Sequence, residues 1–140
     1  MVENTPNVID DGTARLSDME TLLRRLALSE TPTEASEIVR RLLPGVIGGG
    51  EATLFVIRGD NAVGVQADAG DLWPIAKESA ALGRVCRSED NRVVAVPVAG
   101  TGAIVLRSET KISPAEVHVL ELFGQHAAAA LKPAGLAASA

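Results

Sequence analysis

At 140 residues the chain is close to the ~150 expected of a single domain, which argues against a two-domain enzyme. Its 46% hydrophobic and 22% charged residues suit a soluble domain that builds its own core. A net charge of −5, from 13 basic and 18 acidic residues, and an aromatic set limited to Phe55, Trp73 and Phe123 provide neither the basic footprint nor the stacking platforms of a nucleic-acid binder, and no attraction to anionic membranes.

The single cysteine, Cys86, cannot form an internal disulfide, and no Cys and His residues are spaced like a zinc site, so no metal is expected and a reducing compartment fits. Met1 to Gly12 has no basic start and no apolar run, and no later window reaches the ~18 uninterrupted apolar residues of a spanning helix. A cytoplasmic location is the expectation. Residues 1–12 carry Glu3, Asp10 and Asp11 with no basic residue and read as a disordered acidic tail; 13–132 reads as one domain and 133–140 as a flexible C-terminal tail.

In chain order, Leu16, Met19, Leu22, Leu23 and Leu26 recur at helical spacing, predicting an amphipathic helix over about residues 14 to 28. Thr31-Pro32-Thr33-Glu34 reads as a capping box that opens a second helix. Ala35, Ile38, Val39 and Leu42 supply its buried stripe, and Pro44-Gly45 kinks or ends it before Gly48-Gly49-Gly50. Glu51 to Arg58 is apolar on both faces and predicts a strand covered on both sides. After the turn Gly59-Asp60-Asn61, Ala62 to Ala67 predicts a second strand, broken at Asp68 to Asp71. Leu72 to Ile75 reads as a short strand, and Glu78 to Arg87 as a short helix burying Leu82, Val85 and Cys86. Arg92 to Val98 and Gly102 to Ser108 read as a hairpin turned at Ala99-Gly100-Thr101. Ser113-Pro114-Ala115-Glu116 repeats the capping box and opens the last helix. On that helix His118, Glu121, Gln125 and Lys132 share one polar stripe, Leu120, Gly124, Ala127 and Leu131 would face a sheet, and Val119, Leu122, His126 and Ala130 form a second apolar flank. The first helix is the natural partner for that flank, within the chain or across a dimer.

This order of elements resembles the GAF domain family from about Leu16 to Leu131. Ala95-Val96-Pro97-Val98 looks like the family's strand ending in a Val-Pro pair, Gly102-Ala103-Ile104-Val105-Leu106 like its following Gly-led strand, and Ile112-Ser113-Pro114-Ala115-Glu116 like its capped last helix. Phe123 to Leu131 resembles that helix's alanine-rich end. The resemblance implies an α+β, profilin-like fold: a central antiparallel sheet with the N-terminal and C-terminal helices on one face and a capping insert on the other. It also implies a small molecule bound between sheet and insert, and a homodimer of the bundled helices that relays the signal to a downstream protein. The insert here, Asp68 to Asn91, is shorter than that of ligand-binding members. Candidate pocket residues are Phe55, Trp73, Leu82, Cys86 and Val96; candidate dimer residues are Leu16, Met19, Leu23, Leu26, Val119, Leu122 and His126.

Each candidate has a plainer alternative. Cys86 between Arg84 and Arg87 could be an activated thiolate, or simply a small buried hydrophobe. A lone cysteine argues against the GAF-like reductases that work through several. His118 and His126 are eight apart, not the i, i+4 pair that shares a metal. Trp73 could line a pocket under the cap or fill it. Gly48-Gly49-Gly50 lacks the Lys and Ser/Thr of a phosphate loop. No catalytic constellation is apparent and no cofactor is implied by motif. The leading expectation is a non-enzymatic sensory or regulatory module; the alternatives are a redox protein using Cys86 and a ligand-free assembly domain.

Overall fold

The computed structural model describes residues 18–59, 61–63 and 67–131. The two predicted tails, Leu16, Lys132 and the start of the first helix lie outside the described residues. Helix α1 covers 18–28 and α2 covers Pro32–Ile47; then come strands β1 (Glu51–Arg58) and β2 (Asn61–Val63). A 3-10 turn at Ala67–Leu72 leads into α3 (Trp73–Leu82), followed by β3 (Cys86–Arg87), β4 (Val93–Val98), β5 (Gly102–Arg107) and α4 (Pro114–Leu131). None of the described helices is long and apolar enough to cross a membrane.

The strands form one five-stranded sheet, ordered β2-β1-β5-β4-β3, and every neighbouring pair is antiparallel. The period of two along each strand sorts the side chains onto two faces. Leu54 and Val56 of β1, Val94 and Val96 of β4, and Ile104 and Leu106 of β5 join a core with Leu22 and Leu26 of α1, Val39 and Leu43 of α2, and Leu120, Phe123, Ala127 and Leu131 of α4. On the opposite face Phe55, Ala95, Ala103 and Val105 pack with Leu72 and Ala76 of the insert. The result is a three-layer α+β arrangement with three helices on one side of the sheet and the short insert on the other.

Local chemistry fixes the helix ends. The Glu34 backbone N–H donates to Thr31 Oγ1 at 3.1 Å, with Pro32 in the first turn. At α4 the exchange is reciprocal: the Glu116 N–H donates to Ser113 Oγ at 3.1 Å, and the Ser113 N–H to Glu116 Oε1 at 2.9 Å. The expected sheet-facing set Leu120, Gly124, Ala127 and Leu131 is buried.

The structure corrects several expectations. Pro44 does not end α2; the helix continues to Ile47, because one missing N–H costs one bond while Val46 and Ile47 still gain burial. It closes where Gly48, at φ 116°, and Gly49 both donate to the Pro44 carbonyl, at 2.9 and 2.8 Å. Its buried stripe is Ala35, Ser36, Val39, Leu43, Val46 and Ile47, with Ile38 and Leu42 only half-buried. β2 begins at Asn61, and Ala67, expected at its end, already belongs to the 3-10 turn; 64–66 lie outside the described residues. Leu72 to Ile75 is not a strand, and the helix expected over Glu78 to Arg87 covers only Glu78 to Leu82 of that range. One helix, α3, starts at Trp73 and stops at Gly83, whose φ of 65° favours a residue without a side chain. Its buried positions are the small residues Ala76 and Ser79, so Leu82 lies outside the core, 53% exposed, and Cys86 sits on an edge strand.

Candidate functional site

Three places could carry function. The first is the interface between sheet and insert. Phe55 and Trp73 meet there, with ring centroids 5.9 Å apart, over the small Ala95 and Ala103 that let α3 lie close. Phe55, Leu72, Ala76, Ala95, Ala103 and Val105 are each at most 5% exposed, so these side chains fill the interface. Of the other pocket candidates, Val96 belongs to the helix-side core and Leu82 faces water. Cys86 is buried at the sheet edge, its thiol 3.8 Å from the Arg84 carbonyl. Burial chiefly, then a hydrogen bond and the charge of Glu78, push that thiol up from its ordinary value; Arg84 offsets part of the effect. The expected activation by neighbouring arginines is therefore outweighed, and the protonated thiol is a poor nucleophile.

The second place is a groove of about 290 Å³ on the helical layer, where Met19 of α1, Val46 and Ile47 of α2, and Val119 and Leu122 of α4 converge. Leu122 is 38% exposed. Among the remaining dimer candidates Leu26 is fully buried in its own core, Leu23 is half-buried against it, and His126 is exposed. Leu26 thus serves the internal contact of α1 and has no surface left for a second molecule.

The third place was not anticipated. At the hairpin end of the sheet a groove of about 580 Å³ opens between the end of α3, the β4–β5 turn and α4. Ile57, Ala80, Val85 and Pro97 give it an apolar wall, while Arg84 on one side and Glu121 and Gln125 on the other give it polar rims. Thr101 lines it from the turn. Among the described residues the other buried hydroxyls are all committed to carbonyls: Ser29 to Leu26, Ser36 to Leu54 and Ser79 to Arg84, at 2.6, 2.9 and 2.7 Å. Thr101 is different. Its N–H donates to Val98 at 2.9 Å and its carbonyl accepts from Ile57 at 2.8 Å, yet its hydroxyl, on a residue only 3% exposed, has no partner. Such a group costs about 1–3 kcal/mol. In the sequence Thr101 reads only as part of a turn, Arg84 as a neighbour of Cys86, and Glu121 and Gln125 as a solvated stripe; nothing in their spacing joins them.

Among the described residues no three of His, Cys, Asp and Glu gather where they could hold a metal ion. His118 and His126 are both exposed on α4. Gly48, Gly49 and Gly50 all adopt positive φ and close α2 before β1. Comparison of the chain with protein-family models, with curated proteins and with solved structures finds no match in any of the three.

Proposed function

We propose that the chain is a non-enzymatic sensory or regulatory module of the GAF type, acting in the cytoplasm, that takes its signal from a small molecule and relays it to a downstream protein through a homodimer. The observation that carries this reading is the unequal layering of one antiparallel sheet: three helices on one face and a single short helix on the other, in the chain order of that family. The groove holding Met19, Val119 and Leu122 supports the dimer, since a second copy would remove this apolar surface from water. The filled interface around Phe55 and Trp73 favours one alternative, an assembly domain with no ligand beneath its cap.

The test is light scattering on the full chain at tens of micromolar. A dimer mass is expected, with Leu122→Asp giving a monomer whose circular dichroism is unchanged. A monomer from the unaltered chain would overturn the dimer. Trp73 then separates the two sources of signal: emission that shifts with a metabolite favours a ligand under the cap, and emission indifferent to all of them favours assembly.

A further inference from the structure

We propose that the groove at the hairpin end of the sheet is a binding site for a small carboxylic acid with an apolar body and a hydrogen-bond donor, the class of apolar amino acids and hydroxy acids. The site does not depend on the GAF reading or on a dimer. It lies at the edge of the packed sheet–insert interface, with which it shares Ile57 and Ala80, and none of its lining residues lines the α1–α4 groove.

Three observations converge on that chemistry. The first is charge: Arg84 makes no ion pair with another described residue, and it does not pair with Glu121 across the groove. A guanidinium on one rim takes a carboxylate through parallel N–H donors, and the opposite rim offers the acceptors Glu121 and Gln125 to an ammonium or hydroxyl group. The second is the wall between them, Ile57, Ala80, Val85 and Pro97, which suits a short branched hydrocarbon and gives a polar ligand such as citrate nothing to hold. The third is the Thr101 hydroxyl. Buried polar groups in folded proteins are nearly always paired, and valine has the same shape without the unmet need. In this structure the hydroxyl serves no internal contact and lies just beneath the surface of the groove that Thr101 lines, so the ligand's polar end meets it through a χ1 turn of that side chain.

Binding would also couple parts of the fold. The groove is shared by α3, the β4–β5 hairpin and α4, so a ligand bridging Arg84 to Glu121 ties the insert to the helical layer across the sheet's end. That linkage would be available whether the chain works alone or as a pair.

The experiment is an amide chemical-shift titration of the full chain with L-leucine, its hydroxy-acid counterpart and isopentylamine, which keeps the branched body and the amine but lacks the carboxylate. Saturable shifts with L-leucine or the hydroxy acid are expected at residues 83–85, 98–102 and 121–125, and none with isopentylamine. Thr101→Val should fold with an equal or higher melting temperature yet bind about tenfold more weakly. Arg84→Gln, a change on an exposed side chain, should weaken binding by at least about tenfold. Absence of saturable shifts with either acid, shifts centred on Trp73 instead, equal binding of isopentylamine, or unaltered affinity in both variants would each overturn the site. Because the readout is local, a monomeric chain that binds and a dimeric chain that does not are separate results.

Discussion

Cys86 gives the sharpest residue-level test of electrostatics in this fold. Burial is the main cause of its raised pKa, and Glu78 adds to it. A thiol made harder to ionise by folding contributes stability that is whole below its ordinary value of 9.0 and is lost as pH rises through the shifted one, because the unfolded chain ionises first. Urea unfolding of the unaltered chain and of Cys86→Ala, followed from about pH 8 to about pH 10, should therefore show a steeper decline for the chain that keeps the thiol. Equal slopes would contradict the burial argument. The same protonated, enclosed sulfur weighs against the redox reading of the sequence. Arg84 and Arg87 flank Cys86 in sequence and suggest activation, but adjacency along a chain says nothing about desolvation, which only the sheet edge determines.

At the scale of elements, α4 depends on how closely it approaches β4. A Cβ placed on Gly124 would lie 2.9 Å from the Pro97 carbonyl oxygen and 3.2 Å from Val96 Cγ2. Gly124→Ala improves helix propensity by about 1 kcal/mol but forces backbone apart, and such overpacking costs about 1–3 kcal/mol. The expected result is a lower denaturation midpoint; a raised one would mean that the helix can slide outward freely. Elements whose signals are local were legible beforehand. The capping box Ser113 to Glu116 marks α4, Thr31-Pro32 starts α2, and Ala99-Gly100-Thr101 turns the hairpin, with Gly100 at φ 74°. The insert was not legible, because α3 is buried through Ala76 and Ser79, which leave no stripe of large aliphatics to count. β3 has two residues and exists through pairing of Cys86 with Ala95 and Arg87 with Val94, a contact that no local pattern announces. The turn between β3 and β4 was not anticipated either: Ser88 donates to Asp90 at 2.7 Å, Asp90 accepts the Arg92 N–H at 3.1 Å, and Asn91 sits at φ 58°.

Across the whole molecule the two faces of the sheet are unequally insulated. The helical side buries large side chains from three helices, whereas the insert offers Leu72, Ala76 and half-buried Trp73 and Ile75. Fewer apolar contacts mean a lower free energy of local opening. Hydrogen exchange should therefore show amides of α3 exchanging faster than those of β1, β5 and α4, and equal protection throughout would refute this hierarchy. The layering itself was legible because β1 is apolar on both faces and so must be covered twice. The hairpin-end groove was not, because it joins residues from Ile57 to Gln125 that meet only once the sheet is closed.

The edge strand β3 is only two residues long. Growth of a sheet from one molecule to the next needs a run of free backbone donors and acceptors, and beyond β3 the outer strand β4 presents Pro97, which has no N–H to offer. A chain with this much aliphatic surface is thus hindered from fibril-like polymerisation along its β4 flank.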